Sequence, residues 1–156
     1  MRNARFLLLA LPVAAMFSLH AADPVAPVHW SAAKTKELAQ QAKSKFNKDT
    51  GMGVSNLMDS AFMVHREKTS QAEAHASQAD FLIINDGAGT ILVGGKMING
   101  QTTRPGETRG DSIEGGTAYP VKAGDTLYVP KAMPHQFQVI PGKYIVYTVV
   151  KITPVE

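Results

Sequence analysis

Two stretches of the sequence decide the fold: residues 73–87, EAHASQADFLIINDG, and residues 124–135, GDTLYVPKAMPH. Each joins a short apolar run to turn-forming residues and to side chains that can bind a metal. The first closes on Asn85-Asp86-Gly87, a strong turn signal, and the second ends in a tight turn before His135. Two such segments predict strands whose polar ends meet.

Further short apolar runs, bounded by glycine, proline, asparagine and aspartate, extend the same pattern along the chain. Regularly spaced short strands are typical of an all-β barrel or sandwich. The turn Pro141-Gly142 predicts that the last two runs form a closing hairpin. The predicted strands are 61–64, 81–84, 90–93, 126–129, 137–140 and 144–152.

Residues 98–116 interrupt this rhythm with five glycines among charged side chains, which predicts a long loop. Loops of this length in compact domains are often functional. If the loop folds over the mouth of the barrel, Arg104 or Arg109 could clamp a substrate carboxylate. The alternative is a solvated surface loop.

Four side chains are candidates for a metal site. Glu73 and His75 are two residues apart, so a strand places them on one face. Asp80 has the opposite parity and can join that face only if the chain turns at 76–79. With His135 from the second stretch, two imidazoles and two carboxylates make a sensible ligand set for Mn²⁺, Fe²⁺ or Zn²⁺.

The spacing of these residues resembles the two motifs of the cupin family. The first motif reads H-x-H, three or four residues, E, six residues and G, where this chain has Glu73-Ala74-His75, then Asp80, then Gly87. The second reads G, five residues, P-x-G, two residues and H, where this chain has Gly124, then 130–132, then His135. The resemblance covers about residues 60–140 and implies a single jelly-roll barrel, here following an N-terminal helix.

The resemblance also implies roles for the candidate residues. His75 and His135 look like neutral imidazole ligands and Asp80 like an anionic one, while Glu73 is either a fourth ligand or a general base beside the metal. Glu73 and Asp80 differ from the family's histidine and glutamate but keep groups that bind metal, whereas Ala132 replaces a glycine. The implied function is that of a metal-dependent enzyme on a small polar or carboxylated molecule, and the alternative is a non-enzymatic module that binds a small ligand.

A third histidine precedes the first motif. His65 and Glu67 share one face of the strand predicted at 61–64 and its continuation. His65 is therefore a candidate for the mouth of the pocket, and the alternative is a structural histidine whose hydrogen bonds are satisfied within the protein.

The first 22 residues have the composition of a secretory signal peptide. Arg2 and Arg5 form its positive end, residues 6–17 are almost wholly apolar, and small residues follow. We therefore expect a periplasmic or secreted protein with no membrane anchor after cleavage. The chain has no cysteine, so neither disulfides nor thiolate chemistry contribute.

Residues 23–50 are expected to form a linker and an amphipathic helix, ahead of a barrel over 51–156. Ser31 is a plausible N-cap, and Leu38, Ala42 and Phe46 make one narrow apolar stripe within 32–47. This stripe lies on the barrel or, alternatively, forms a homodimer contact.

The charge of the chain is close to balanced. The signal carries two of the 16 basic residues and none of the 13 acidic ones, so the rest of the chain has 14 basic residues and a net charge of +1. No basic stripe with interleaved aromatic residues is present, and we expect no binding of nucleic acid.

Overall fold

The computed structural model describes residues 27–153, so the predicted signal peptide at 1–22 and the first linker residues lie outside the described part. The described chain is built almost entirely from antiparallel strands, with one helix before them, as the sequence predicts. No helix in this part is long and apolar enough to cross a membrane. In chain order the elements are α1 (Ala32–Ser44), β1 (Met52–Met58), β2 (Ala61–Arg66), β3 (Ala72–His75), β4 (Ala79–Val93), β5 (Lys96–Ile98), β6 (Gln101–Arg104), β7 (Glu107–Gly110), β8 (Ser112–Glu114), β9 (Thr117–Lys122), β10 (Thr126–Val129), β11 (His135–Gln138) and β12 (Ile145–Ile152).

The helix begins where the sequence predicts. The Ser31 hydroxyl accepts a hydrogen bond from the backbone N–H of Lys34 at 3.2 Å, which satisfies one of the free donors of the first turn. The helix ends at Ser44, three residues before the predicted end at 47.

The apolar stripe of the helix packs against β1 and β2 of its own chain. Leu38 and Ala42 are buried there against Met63 and Val146. A Cβ atom added at Gly53 would lie 2.0 Å from the Ala42 carbonyl oxygen, so only glycine permits this close approach. The helix therefore covers the outside of the barrel.

The predicted turn at Asn85-Asp86-Gly87 is wrong, because β4 runs through it as one strand of 15 residues. The register against β12 shifts at this point, and Gly87 takes a φ of +73° with the Tyr144 carbonyl too close for a side chain. The glycine bends a continuous strand instead of ending it.

This bend lets β4 belong to both layers of the barrel. Its first half pairs with β10 and β12, in the layer that also contains β1 and β2. Its second half pairs with β9 and β11, in the layer completed by β3, β7 and β6.

The predicted hairpin of the last two strands is also wrong. β11 pairs with β3 and β4, whereas β12 pairs with β2 and β4. The turn at 141–142 carries the chain from one layer to the other, so consecutive strands do not become neighbours.

Residues 98–116 form short strands and not the predicted loop. A turn at Pro105-Gly106 joins β6 to β7, and Gly106 has a φ of +78°. β5 and β8 pair separately as a small two-stranded sheet. Arg104 and Arg109 consequently lie on paired strands, which fix their directions.

Strands of both layers contribute to the central hydrophobic core. Phe137 and Tyr147 stack within it, with ring centroids 4.4 Å apart and nearly parallel planes. The core also includes Val64, Leu82, Ile84, Ile91, Val121, Val129, Val139, Ile145 and Val149.

Candidate metal centre and pocket

The register around β3 assembles one half of the site. Glu73 lies directly opposite His135 of β11 on one side and Arg109 of β7 on the other. His75 lies opposite Glu107 of β7. Side chains at directly opposed positions point to the same face of a sheet, so these five project together.

Asp80 reaches the same face from β4. The chain bends at 76–77 between β3 and β4, which supplies the turn that its parity requires. Asp80 is opposite Lys151 of β12, and the Lys151 Nζ atom donates to its two carboxylate oxygens at 2.7 and 2.9 Å. The same ammonium donates to His75 Nε2 at 2.7 Å.

The structure therefore brings together all four side chains that the sequence singles out. We call them the Glu73 cluster. Asp80 Oδ2 is 3.6 Å from His75 Nε2 and 3.4 Å from His135 Nε2. The members of the Glu73 cluster are Glu73, His75, Asp80 and His135.

His135 points an unsatisfied nitrogen into the cluster. Its Nδ1 atom donates to the Met133 carbonyl at 3.1 Å, which orients the ring from behind. Its Nε2 atom is buried and has no hydrogen-bond partner among residues 27–153; it lies 3.5 Å from Glu73 Oε1 and 3.4 Å from Asp80 Oδ2. Such an atom needs either a proton, shared with the carboxylates, or a metal ion.

His75 is held in the neutral form that metal binding requires. Burial and the nearby charge of Lys151 lower its pKa, against the opposing carboxylates of Asp80 and Glu73. Its Nε2 lone pair accepts from Lys151 and faces the same space as His135 Nε2.

The donor set fits a divalent metal. Glu73, His75 and His135 each offer one ligand atom, and these atoms lie within 4.8 Å of one another. Two imidazoles and a carboxylate are the ligand types of manganese, iron and zinc sites. Asp80 lies beside this triad and forms an ion pair with Lys151. Its carboxylate would therefore have to serve both Lys151 and a metal if it is a ligand, as the sequence predicts.

The two most strongly shifted groups face each other. Burial alone would raise the pKa of Glu73, but the close contact with His135 and its charge, together with the charges of Arg109 and His75, lower it to about 2. Burial would lower the pKa of His135, but Asp80 and Glu73 raise it to about 9. Without a metal, His135 is therefore an imidazolium that faces the carboxylates of Glu73 and Asp80.

A cavity of about 390 Å³ opens onto the cluster, within the usual size range of small-molecule pockets. Arg104 and Arg109 lie on its wall, and neither is a free cation. Arg109 binds Glu73 at 2.9 Å and Glu107 at 2.6 Å, and Arg104 binds Glu107. Their predicted role as carboxylate clamps is therefore already taken by carboxylates of the protein.

His65 does not line this cavity, so its predicted place at the mouth is wrong. It is buried on the other face of β2, where its Nε2 atom donates to Glu67 at 2.8 Å and its ring stacks on Tyr144. Because neighbours on a strand alternate in direction, Arg66 lines the cavity instead.

Sequence reasoning missed three charged residues of the site: Arg66, Glu107 and Lys151. Lys151 carried a signal, since it is the one charged residue of the mostly apolar strand Ile145–Ile152. Glu107 follows the Pro105-Gly106 turn, which predicts a hairpin and so a defined side-chain direction.

Ala132 occupies the place of the motif glycine and has a left-handed backbone conformation, which glycine adopts most readily. Its φ is +61°, and its backbone N–H donates to the His75 carbonyl at 2.7 Å. This bond ties the turn before His135 to the end of β3 and helps bring the two imidazoles together.

No protein-family model matches the sequence, and no curated protein matches it. Among solved structures, a cupin-like protein from Thermotoga maritima is 20% identical, with a TM-score of 0.51 over 70% of this chain and 77% of that one. The chain has the cupin fold, as its motif spacing predicts.

Two further solved structures are similar at a lower level. A predicted oxalate decarboxylase from Thermotoga maritima is 13% identical, with a TM-score of 0.48 over 66% of this chain and 81% of that one. A polyketide cyclase from Streptomyces resistomycificus is 13% identical, with a TM-score of 0.47 over 65% of this chain, which spans 64% of the cyclase.

Proposed function

We propose that this chain is an exported cupin that binds a divalent transition metal in its barrel and acts on a small polar or carboxylated molecule beside it. The observation that carries the proposal is the meeting of Glu73, His75 and His135, whose ligand atoms lie within 4.8 Å of one another beside a cavity of about 390 Å³. Export rests on the composition of residues 1–22.

The chain's own residues prepare both imidazoles for this role. Met133 orients His135 through Nδ1, and neutral His75 presents its Nε2 lone pair. A divalent ion held here would polarise a substrate oxygen or lower the pKa of bound water. Mn²⁺, Fe²⁺ and Zn²⁺ match the donor set.

Glu73 serves better as a ligand than as the general base considered from the sequence. Its pKa of about 2 and its 2.9 Å ion pair with Arg109 make it a weak proton acceptor near neutral pH. The same features keep it ionised, which is the form that coordinates a metal.

Metal binding is tested on protein stripped of metal and reloaded separately with Mn²⁺, Fe²⁺, Zn²⁺ or Ni²⁺. We expect one ion per chain by elemental analysis and a rise in the melting temperature. His135→Ala removes one ligand and should weaken metal binding about 100-fold or more, whereas His29→Ala, at an exposed histidine, should not. Wild-type protein that takes up none of these metals would refute the proposal.

A second candidate function is a metal-free pocket that binds a small ligand without chemistry. The observation favouring it is Lys151, whose ammonium already bonds His75 and Asp80. The site then has its own cation, and metal must displace it.

Lys151→Met separates the two candidates. If the site binds metal, the variant should bind it more tightly than wild type, because no ammonium has to leave, and metal should restore the stability lost with the ion pair. If Lys151 is the permanent cation, the variant should be less stable and metal should not rescue it. Calorimetric titration and thermal unfolding with and without metal give both readouts.

A further inference from the structure

Arg66 is a buried cation on the wall of the pocket and is not part of the Glu73 cluster. It ends β2, is only 5% exposed, and lines the same cavity as Glu73, His75 and Asp80. Charged side chains this deeply buried are almost always paired with an opposite charge.

Arg66 has no such partner among residues 27–153. Its Nε atom donates to the Tyr147 hydroxyl at a long 3.4 Å, an Nη atom contacts the Met52 sulfur at 3.1 Å, and the guanidinium lies 5.4 Å from the Phe137 ring centroid. A phenol, a thioether and a ring face are weak partners for a group with five N–H donors.

The other arginines of the pocket behave differently. Arg109 is bound by Glu73 and Glu107, and Arg104 by Glu107. Lys151 is bound by Asp80. Among the described residues, Arg66 is therefore the one lysine or arginine of the cavity wall that has no protein carboxylate as a partner.

The net charge of the cavity wall also indicates one cation without a counter-charge. Its three carboxylates face four permanent cations, which leaves one positive charge in excess before any metal or imidazolium is considered. The carboxylates are Glu73, Asp80 and Glu107, and the cations are Arg66, Arg104, Arg109 and Lys151.

We propose that Arg66 binds the carboxylate of a small anionic ligand, which supplies the missing counter-charge. A guanidinium offers paired donors that match a carboxylate in a bidentate geometry. Tyr147 adds a second donor, because its hydroxyl oxygen accepts from Arg66 and its hydrogen has no acceptor within residues 27–153. The inference builds on the proposed function by naming the charge of the substrate and the residue that holds it.

Two distances from the Phe137 ring limit the length of this ligand. The Arg66 guanidinium lies 5.4 Å and the His135 ring 6.4 Å from the Phe137 ring centroid, so the two groups are at most about 12 Å apart. A carboxylate at Arg66 and a second oxygen group at the Glu73 cluster can therefore belong to one small molecule, such as a carboxylic acid of a few carbons with a second oxygen function.

The test titrates metal-free protein, dialysed free of chelator, with acetate, with succinate and with their neutral amides, acetamide and succinamide. We expect saturable binding of succinate, weaker binding of acetate, and none of the amides. Arg66→Gln and Arg66→Met should weaken succinate binding about 10- to 100-fold, the range for losing charge-assisted hydrogen bonds. Lys36→Gln, at an exposed lysine of α1 that does not line the cavity, should bind as wild type does.

Stability distinguishes a binding role from a structural one. If Arg66 awaits a ligand, Arg66→Met should leave the free energy of unfolding unchanged or raise it, because an unpaired buried charge is removed. Arg66→Lys, which keeps the charge but not the paired donors, should fold and retain part of the affinity. A loss of stability in Arg66→Met with unchanged succinate binding in Arg66→Lys and Arg66→Gln would overturn the proposal.

Two other results would also overturn it: no saturable binding of acetate or succinate by wild type, or equal binding by Arg66→Gln. Neither depends on the metal. If the protein takes up metal but binds no carboxylate, the role proposed for Arg66 is refuted and the metal site stands. If it binds carboxylates but takes up no metal, the metal site is refuted and the role of Arg66 stands.

Discussion

Two of the three buried histidines in the described part of the chain, His65 and His135, have different surroundings, although both lie near a glutamate. His65 is 2% exposed and His135 is 1% exposed. His65 bonds Glu67, stacks on Tyr144 at 5.4 Å and meets the edge of Phe46 at 6.2 Å. We call this group the His65 cluster.

In the Glu73 cluster, by contrast, His135 Nε2 faces two carboxylates and has no hydrogen bond to any residue that the structure describes. Glu67 of the His65 cluster has a side chain that is 42% exposed, whereas Asp80 is 3% exposed. The difference teaches that burial alone does not identify a functional site. What distinguishes the Glu73 cluster is that it brings several charged groups together inside the barrel and leaves His135 Nε2 available to a metal or a ligand.

The largest difference should appear on neutralising one carboxylate in each cluster. In chelated protein, Asp80→Asn leaves the Lys151 ammonium beside two imidazoles without its anion, and we expect a loss of about 3 kcal/mol in the free energy of unfolding. Glu67→Gln acts on a half-exposed pair and should cost about 0.5 kcal/mol or less. Urea denaturation of both variants measures the contrast, and similar losses would show that the two clusters are energetically equivalent.

The second effect is a pH dependence of the metal-free protein. The pKa of His135 is raised from 6.5 to about 9, so its contribution to stability is complete below pH 6.5 and lost as the pH rises through 9. The pKa of Glu73 is lowered from 4.5 to about 2, so its contribution is present above pH 4.5 and lost as the pH falls through 2. The combined contribution of these two groups should therefore be greatest at pH 4.5–6.5. His75 acts in the opposite sense, because its lowered pKa makes folding less favourable as the pH falls below 6.5.

Glu73→Gln provides the control for this pH dependence. Wild type should lose about 3 kcal/mol as the pH rises through the pKa of His135, and the variant should lose less because one of the two carboxylates is gone. Metal-loaded wild type should show the opposite slope, since protons compete with the ion for His135. A flat profile in chelated wild type would mean that the His135–Glu73 interaction does not stabilise the fold.

The smallest effect concerns the turn before His135, which is hydrogen-bonded to the end of β3 through Ala132. Ala132 has a φ of +61°, where glycine is unstrained. Ala132→Gly should raise the free energy of unfolding by about 0.5 kcal/mol, because relief of strain outweighs the added freedom of the unfolded chain. Ala123→Gly, at a turn residue outside the left-handed region, should lower it by a similar amount. Thermal unfolding compares the two, and a loss in Ala132→Gly would contradict this account of the turn.

The motif spacing predicted the cupin fold and the residues of the Glu73 cluster, because the intervals of a motif reflect the register of the strands that carry it. It could not reveal Lys151, which reaches the cluster only because β12 pairs with β4 at Asp80. Pairings between strands distant in sequence depend on the topology. The turn signals at 85–87 and 141–142 were present, yet one became a bend and the other a crossing between layers.

By itself the sequence determined the class of fold, the helix start at Ser31 and the donor types of the Glu73 cluster, since these depend on local spacing and composition. Only the tertiary structure decided which charges are paired. Arg104 and Arg109 looked free and are bound by Glu107, whereas Arg66 drew no attention and is the cation of the pocket without a carboxylate. The physical reason is that a charge's role depends on what desolvates and neutralises it, and those partners come from strands brought together only by the closed barrel.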